Sequence, residues 1–410
     1  MKILVVNKFL YNKGGSETYI FQLFDYLSKL GHDIEYFGIE NPNNHVGNSA
    51  GESMKSMDFS GNLLSKISYP FRIVYSVEAR KKIGKVINNF KPDIIHLNNY
   101  NYQITPSILY EIKKCNIPIV QTLHDPQLVC PYHRLYHYKR GENCEKCSDG
   151  KYVNCILQKC IDNSLLKSLV GAAESFLYNK LNTYENIDYF ISPSQFLKNK
   201  MISMNVKVPK ERIVVLHNFT NNNSLEYTVS KKPYVLYFGR LSREKGISTL
   251  IKACTKLQKI QFVFIGSGEL EEDVKCIKNI EFLGFKKGDE LRNIIGEALF
   301  SIYPSEWYEN CPMSVLESQM YGTPVIGSNI GGIPELICDK KDGLLFEPGN
   351  VEDLVDKIRY LYENPEILLK FSYQSIEKSK KFSIEKYTEE LLDIYSMAQL
   401  KHLERGRLLG

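Results

Sequence analysis

The stretch SEWYENCPMSVLESQMYGTPVIG, residues 305–327, carries an unbroken loop–helix–strand signal. The run before it, ALFSIY at residues 298–303, is apolar enough to form a buried strand. Pro312 suits the first turn of a helix, because a missing N–H group costs nothing there and the fixed φ angle helps. Gly322 can adopt the left-handed conformation that ends a helix. Pro324 then leads into the strand PVIG, so the stretch predicts one repeat of alternating strand and helix.

Two carboxylates flank the start of this predicted helix. Glu309 lies just before the helix N-terminus, and Glu317 projects from the second turn. Free backbone N–H groups and the positive end of the helix dipole favour a phosphate at that end. Carboxylates only accept hydrogen bonds, so they suit the hydroxyl groups of a sugar or a ribose. We therefore expect a clamp for a nucleotide sugar. The donor-binding residues expected at the helix start are Asn310, Cys311, Pro312 and Met313.

The spacing of Glu309 and Glu317 resembles the E-x7-E segment of retaining glycosyltransferases of family 4, which have the two-domain GT-B fold. The resemblance implies that Glu309 contacts hydroxyls of the donor hexose and that Glu317 binds the donor ribose. A bare E-x7-E spacing is equally compatible with two solvated carboxylates at a helix end. The downstream segments GTPVI, residues 322–326, and GGIPE, residues 331–335, match the family in order and spacing. They favour the family over the solvated pair.

Arg240 and Lys245 lie in GRLSREKG, residues 239–246, between the apolar run YVLYF and a predicted helix. At a strand end, an Arg fork and a Lys point charge can bind a diphosphate and neutralise it as it departs, without a metal ion. The alternative is that both are ordinary surface charges. The G-R-x4-K-G pattern resembles family 4, which implies that these two residues grip the donor pyrophosphate. Gly239 is assigned to the donor site with them.

Two glycine-rich turns also follow predicted strands. Gly14 and Gly15 precede the first helix, where missing side chains let backbone N–H groups approach an anion. They resemble the family's glycine loop, which implies binding near the donor phosphates and the acceptor. A dinucleotide fingerprint is the rival interpretation, but the G-x-G-x-x-G pattern is missing. Gly266 follows the run FVFI and is either architectural or a wall of the nucleotide pocket.

His124 and Asp125 end the predicted strand IPIVQTLH. A His after a strand is, in isolation, more often a packed and hydrogen-bonded residue than a catalytic one. The T-L-H-D context matches the family, and this resemblance implies that His124 contacts the transferred sugar. Asp125 either orients His124 or meets the acceptor.

Five cysteines crowd one loop-rich stretch at about 130–160: Cys130, Cys144, Cys147, Cys155 and Cys160. The last four provide enough thiolates for a structural zinc ion or an iron–sulfur cluster. His133 and His137 compete as ligands, and free or disulfide-paired thiols are the alternative. The resemblance implies that the stretch is a structural insertion of a subfamily. No cofactor is expected to be required for catalysis.

The composition is that of a globular protein with two or three domains. Of 410 residues, 43% are hydrophobic and 24% are charged, and the net charge is +5. Basic residues are interspersed with acidic ones, so no nucleic-acid partner is expected. The N-terminus lacks a signal-peptide cleavage site, and no run approaches the roughly 18 apolar residues of a membrane span. We expect a cytoplasmic location, where the ten cysteines would mostly be thiols or metal ligands.

Strand-like runs and amphipathic helices alternate along the whole chain, which predicts parallel sheets covered on both faces. The polar stretch 220–232 is the best linker candidate. We therefore expect an α/β protein of the GT-B type. Residues 1–219 would form an acceptor-side Rossmann-like domain, and residues 232–382 a nucleotide-sugar-binding one facing it across a cleft. The final helix, residues 383–410, is expected by resemblance to cross back onto the N-terminal domain.

A membrane partner is suggested by residues 59–85, where aromatic and aliphatic side chains alternate with Lys and Arg. Such a surface can lie on an anionic bilayer beside a lipid-linked acceptor at the inner face of the membrane. The alternative is a set of helices that cover the N-terminal sheet, with lysines extended to solvent.

The sequence as a whole predicts a retaining, metal-independent glycosyltransferase. Its partners would be a nucleotide diphosphate sugar and a glycan or lipid-linked acceptor, as in bacterial surface or capsular polysaccharide synthesis. The residues expected to act in catalysis are His124, Arg240, Lys245 and Glu309. Two alternatives remain: a nucleotide-sugar epimerase on the same fold, which would need no acceptor, and a non-catalytic nucleotide-sugar-binding protein.

Overall fold

A computed structural model describes residues 1–56, 70, 72–221 and 231–409. It divides the chain into two compact units. The first contains residues 1–135, 144–216 and 388–410, and the second contains residues 136–143 and 217–387. Most of the predicted linker, residues 222–230, lies outside the described residues.

The first unit is built on a parallel sheet. Its strands are β1 (Lys2–Val6), β2 (Asp33–Phe37), β3 (Ile94–Leu97), β4 (Ile119–Thr122), β7 (Tyr189–Ser192) and β8 (Ile213–Val215). Among the described residues these six strands lie in the order β2-β1-β3-β4-β7-β8. The two short strands β5 (Tyr136–His137) and β6 (Glu142–Asn143) are not part of this sheet. They form an antiparallel hairpin that belongs to the second unit.

Helices connect and cover this sheet. They are α1 (Gly15–Lys29), α2 (Val77–Phe90), α3 (Ile108–Lys114), α4 (Val153–Leu157), α5 (Leu165–Lys180) and α6 (Gln195–Ser203). The first illustrates why the sequence folds in this way. Tyr19, Ile20 and Leu23 recur at helical spacing and are fully or almost fully buried, and Gly31 turns the chain with a φ of 88° two residues after the helix.

The second unit repeats the architecture. Its strands are β9 (Tyr234–Phe238), β10 (Gln261–Ile265), β11 (Ile280–Phe282), β12 (Phe300–Tyr303), β13 (Val325–Ser328) and β14 (Gly343–Phe346). Its helices are α7 (Ile247–Lys256), α8 (Glu271–Lys275), α9 (Gly288–Glu297), α10 (Met313–Met320), α11 (Ile333–Leu336), α12 (Val351–Glu363) and α13 (Pro365–Ser379). The last helix, α14 (Ile384–Leu409), begins in this unit, and its residues from Thr388 onward group with the first.

The strand order of the second unit indicates where a ligand would bind. The described strands form a parallel sheet in the order β11-β10-β9-β12-β13-β14, so the direction of winding reverses between β9 and β12. Ligands of open parallel sheets bind beyond the carboxyl ends of the strands at such a reversal. The loops after β9 and β12 carry Arg240 and Glu309, respectively.

The predicted alternation of strands and helices in two doubly wound sheets is confirmed. The observed boundaries differ from those drawn on the sequence. The first unit's second segment ends at Leu216 rather than residue 219, and residues 136–143 of the cysteine-rich insertion group with the second unit.

The aromatic and basic stretch at 59–85 is described only in part, because residues 57–69 and 71 lie outside the described residues. In the described part, basic side chains pair with carboxylates. Lys82 Nζ lies 3.0 Å from Glu78 Oε1, and Arg80 contacts Glu111 Oε2 at 3.2 Å. Arg72 also pairs with Glu78. No helix among the described residues is long and apolar enough to cross a membrane.

A buried polar contact joins β3 to α14 inside the first unit. His96 is fully buried, and its Nδ1 lies 2.5 Å from the hydroxyl of Tyr395, while its Nε2 lies 2.8 Å from Thr122 Oγ1. Burial lowers the pKa of His96 to about 3, so the ring is neutral at pH 7. A neutral imidazole has one donor and one acceptor nitrogen, and these two hydroxyls satisfy both.

Replacing Tyr395 with Phe should therefore destabilise the protein. The change leaves one His96 nitrogen buried without its hydroxyl partner, which typically costs about 1–3 kcal/mol. Tyr373→Phe is the matched control, because that side chain is 64% exposed. Urea unfolding followed by circular dichroism checks the difference. Equal unfolding free energies for the two variants would contradict a structural role for this contact.

Candidate active site

Glu309 lies in the loop that joins β12 to α10, as the sequence predicted. The backbone at Glu309 is fixed by the turn after β13. The Gly332 N–H group donates to the Glu309 carbonyl at 2.7 Å. Gly331 has a φ of 63°, and a Cβ atom there would come within 2.4 Å of that same carbonyl oxygen. The GGIPE segment is thus needed to let two loops touch backbone to backbone.

The Glu309 carboxylate is buried and receives three donors on one oxygen. Glu309 Oε1 accepts from Lys245 Nζ at 2.6 Å, from Ser305 Oγ at 2.8 Å and from Trp307 Nε1 at 2.5 Å. Burial alone would raise the pKa of Glu309. The charge of Lys245 and these hydrogen bonds outweigh that effect, so the pKa of Glu309 lies below its ordinary value. The group is an anion at neutral pH.

The Lys245 ammonium group packs against two aromatic side chains. It donates to the Tyr303 hydroxyl at 2.9 Å and lies 5.3 Å and 5.5 Å from the ring centroids of Tyr303 and Trp307. Sequence reasoning assigned Lys245 to the diphosphate and Glu309 to the sugar. The structure pairs them directly, which makes them one preorganised charged unit.

Arg240 follows β9 and is more exposed. Its guanidinium lies 5.9 Å from the centroid of the Trp307 ring, and its NH2 atom lies 3.2 Å from Glu244 Oε1. Its side chain is 48% exposed. Arg240 and Lys245 therefore share contact with one indole ring, and the half-exposed Arg240 also pairs with the buried Glu244 carboxylate.

The neighbouring glycines have a packing explanation. Gly239 donates its N–H group to the Ile265 carbonyl at 2.9 Å. A Cβ atom on Gly266 would fall 1.8 Å from the Gly239 carbonyl oxygen. The predicted architectural role of Gly266 explains its presence, and a role for either glycine in donor binding stays a prediction.

The helix α10 has the predicted form. It runs from Met313 to Met320 with Pro312 as its N-cap, and Gly322 follows with a φ of 63°. Glu317 sits in the second turn and is partly buried. Burial raises the pKa of Glu317 to about 7, against an opposing effect of Arg292. This carboxyl therefore titrates near physiological pH.

Cys311 at the start of α10 is buried and held by Asn218. The Asn218 N–H group lies 3.3 Å from the Cys311 sulfur, and its Nδ2 donates to the Cys311 carbonyl at 2.8 Å. Burial raises the pKa of Cys311 to about 12, so it is a neutral thiol. These contacts show how Cys311 is anchored. Donor binding by Asn310, Cys311, Pro312 and Met313 stays a prediction.

The other predicted site residues lie in the first unit. Gly14 and Gly15 are exposed at the start of α1, and a Cβ atom on Gly15 would meet nothing within 4 Å. Neither has a φ angle in the left-handed region. Internal packing therefore does not require glycine at Gly15, and the predicted approach of a ligand there remains a prediction.

His124 is partly buried after β4. Its Nε2 lies 2.8 Å from Asn98 Oδ1, and its ring stands edge-on to Tyr19 at 5.3 Å. Burial lowers the pKa of His124 to about 4, which keeps the imidazole neutral at pH 7. Burial raises the pKa of Asp125 to about 7, opposed by a hydrogen bond from the Gln127 N–H group and by Arg134. Asp125 Oδ2 lies 3.8 Å from Nδ1 of His133, and burial lowers the pKa of His133 to about 3, so that ring is neutral at pH 7.

The cysteine-rich stretch forms a small packed cluster. Cys147 and Cys155 are buried with Tyr152 and Ala172, and Cys160 packs against them. None of the ten cysteines, all of which lie among the described residues, forms a disulfide. The described residues contain no group of three or more His, Cys, Asp or Glu side chains that could hold a metal ion. A hydrogen bond with Cys160 and burial raise the pKa of Cys155. The predicted zinc or iron–sulfur site stays a prediction for elemental analysis.

Sequence reasoning missed three members of the second unit's site. Trp307 and Tyr303 hold the Lys245–Glu309 pair, and Asn143 contacts the loop that carries Glu309. Trp307 could have been found, since it is the only tryptophan in the chain and lies two residues before Glu309. Asn143 could not, because 163 residues separate it from Glu306.

Two family models match the chain. The model described as "Glycosyl transferases group 1" matches residues 222–378, and the model described as "Glycosyltransferase Family 4" matches residues 13–155. Between them they cover most of both units. The chain belongs to the group 1 and family 4 glycosyltransferases, and its fold is GT-B.

Individual relatives agree with this family. An uncharacterised 42.6 kDa protein in the cps region of Klebsiella pneumoniae is 25% identical, over 96% of this chain and 100% of its own length. The sulfoquinovosyl transferase SQD2 of Arabidopsis thaliana is 28% identical, over 76% of this chain and 58% of its own length. The crystal structure of Anabaena Alr3699/HepE in complex with UDP shares the fold, with a TM-score of 0.68, 16% identity, and coverage of 97% and 100% of the two chains.

The raised pKa of Glu317 predicts a pH-dependent stability. A carboxyl with a folded-state pKa of about 7 and an ordinary value of 4.5 binds more protons when folded, so its contribution to stability is lost as pH rises between those values. The melting temperature of Glu317→Gln relative to that of the wild type should therefore be higher at pH 8 than at pH 5. Scanning calorimetry at these two pH values checks this. Other carboxyls with raised pKa values are present in both proteins, so their effects cancel in the difference between the two melting temperatures. A difference in melting temperature that is the same at both pH values would contradict the shift.

Proposed function

We propose that this glycosyltransferase moves a sugar from a nucleotide diphosphate sugar to a glycan or lipid-linked acceptor with retention of configuration. The observation that carries the proposal is the unit of Glu309, Lys245 and Trp307 with Arg240 on the same indole ring. It joins a buried anion, suited to sugar hydroxyls, to two cations, suited to a diphosphate. A site of this kind can hold both halves of a sugar nucleotide.

The donor is proposed to lie on the second unit. Arg240 and Lys245 would bind the diphosphate, and Glu317, on the second turn of α10, would accept from the ribose hydroxyls. Support comes from the family and from neighbours of the same fold, including Anabaena Alr3699/HepE in complexes with UDP and with UDP-glucose.

The transfer is proposed to occur on the front face of the sugar. The bond between the anomeric carbon and the diphosphate oxygen breaks, and a bond from that carbon to the acceptor oxygen forms on the same side. The acceptor proton passes to the departing diphosphate. Arg240 and Lys245 would stabilise the charge that grows on the diphosphate, while Glu309 would hold the sugar. Lys245 is therefore proposed to exchange part of its contact with Glu309 for contact with the donor. The role of His124 on the sugar stays a prediction.

The acceptor is proposed to be an intermediate of bacterial surface or capsular polysaccharide synthesis. Support comes from relatives described as proteins in the cps region of Klebsiella pneumoniae and as the amylovoran biosynthesis glycosyltransferase AmsK of Erwinia amylovora. A cytoplasmic location with peripheral contact to the inner face of the membrane fits a lipid-linked acceptor and belongs to the same proposal.

A panel of UDP-, GDP- and ADP-sugars screened by thermal shift identifies the donor, because a ligand that binds the folded state raises the melting temperature. Arg240→Ala should then lower the transfer rate by roughly 10²–10³, since it removes a charge directed at the leaving group. Arg243→Ala is the control, because Arg243 is an exposed charge in the same turn. Lys245→Ala is a poorer test, since it leaves the buried Glu309 anion unpaired.

The melting temperature of Arg240→Ala should fall modestly, because the change removes the ion-pair partner of the buried Glu244 carboxylate, so transfer rates are compared at a temperature at which the variant is fully folded. Wild-type turnover in this variant would remove Arg240 from the mechanism. An epimerase would convert the donor without any acceptor, and a pure binding protein would show a thermal shift with no turnover. Either result would overturn the proposed transfer.

Transfer should persist in excess EDTA. The positive charge required at the diphosphate is supplied by Arg240, Lys245 and the start of α10, which should replace a bound magnesium or manganese ion. With the donor and an acceptor in hand, the initial rate should change by less than a few-fold on chelation. Loss of activity that manganese restores at once, with no change in melting temperature, would show that the diphosphate is handled by a metal ion.

A further inference from the structure

The hairpin formed by β5 and β6 reaches the loop that carries Glu309. Tyr136 and Asn143 stand opposite one another at its base, since they pair in the antiparallel register. Tyr136 is only 6% exposed, and its ring packs edge-on against Trp307, with centroids 6.2 Å apart at 89°. A segment of the cysteine-rich insertion thus lies against the indole that contacts Arg240, Lys245 and Glu309.

Asn143 makes two hydrogen bonds to the backbone of this loop. Its Nδ2 donates to the Glu306 carbonyl at 3.0 Å, and its Oδ1 accepts from the Tyr308 N–H group at 3.2 Å. The two partners fix which end of the amide is nitrogen, because one accepts and the other donates. The Asn143 amide therefore bonds to the backbone on both sides of Trp307, as a neighbouring β-strand would.

Other contacts hold the loop at both ends and at Trp307, whose backbone N–H group donates to the Glu244 carbonyl at 3.3 Å. Glu306 Oε1 accepts from Thr249 Oγ1 at 2.6 Å, and its N–H group donates to the Glu244 carbonyl at 2.9 Å. Glu309 is held by Gly332. Asn143 adds a side-chain hydrogen bond on each side of Trp307, whose indole donates to Glu309.

We propose that Asn143 is a positioning residue for Glu309, and that the Tyr136–Asn143 hairpin sets the sugar-binding geometry of the donor site. This inference rests on the proposed function. By holding the backbone on both sides of Trp307, Asn143 directs the indole N–H group at Glu309 Oε1 and keeps the ring beneath Lys245. The cysteine-rich insertion then serves the donor site through its hairpin.

Two substitutions separate positioning from simple packing. Asn143→Ala removes both hydrogen bonds. Asn143→Asp keeps the size and the acceptor for the Tyr308 N–H group, but it replaces the donor with a carboxylate oxygen that repels the Glu306 carbonyl. Lys139→Ala is the matched control, because Lys139 is exposed on the same hairpin.

The first measurement needs no ligand. Trp307 is the only tryptophan, so its fluorescence reports on this loop alone. Both Asn143 variants should shift the emission to longer wavelength and increase quenching by acrylamide, whereas Lys139→Ala should match the wild type. Wild-type emission and quenching in both Asn143 variants would overturn the proposed positioning of Trp307 by Asn143, whether or not the protein proves to be a glycosyltransferase.

The second measurement compares the sugar nucleotide found in the panel with its free nucleoside diphosphate. Both Asn143 variants should lose less affinity for the free diphosphate than for the sugar nucleotide, and they should lose roughly 10–100-fold in kcat/KM for transfer, as displacements of about 1 Å do in active sites. A general structural defect would weaken both ligands and the melting temperature together. Equal loss of affinity for both ligands, or wild-type kcat/KM, would overturn positioning of Glu309. Failure of every sugar nucleotide to bind the wild type would instead refute the proposed function.

Discussion

The buried ion pair of Glu309 and Lys245 is the constraint on which the second unit's site depends. A carboxylate taken out of water is costly unless it is paired and hydrogen-bonded. Here Lys245, Ser305 and Trp307 all donate to one oxygen of Glu309. To deliver these donors, the loops after β9 and β12 must meet at one point, and the turn after β13 packs against the backbone of the β12 loop at Glu309. The close approach at Gly331 follows from that requirement.

The same arrangement links stability to chemistry. Lys245 offsets the buried charge of Glu309 when the site holds no substrate, and under the proposed mechanism it would also stabilise the departing diphosphate. A group that already carries the required charge and orientation needs little reorganisation during the reaction. Arg240 differs, because it is exposed and rests on the same indole ring. The two cations thus differ in their structural role, although the sequence motif presents them as equivalent.

Much of this could be predicted from local patterns. The apolar run before Ser305, the proline at the start of α10 and Gly322 after its end specify a strand, a helix and a turn through short-range sterics and hydrogen bonding. The positions of Glu309 before the helix and Glu317 within it follow from spacing alone. The pKa of Glu317 did not follow, because it depends on how far the fold buries this carboxyl, an effect that the charge of Arg292 only partly offsets. The cysteines show the same limit. Their spacing predicts a metal site, which stays a prediction, but spacing does not show that Cys147 and Cys155 pack with Tyr152 and Ala172.

The sequence by itself determined the alternation of strands and helices, the family and the residue types placed at the strand ends, since each depends on neighbours within a few positions or on a short motif. Only the tertiary structure decided which of those residues touch. It paired Lys245 with Glu309 across 64 residues, joined His96 to Tyr395 across 299, and brought Asn143 to the loop of Trp307. Such contacts depend on strand order and on the burial of charge, which local spacing does not encode. The same residues could otherwise have been solvated and independent.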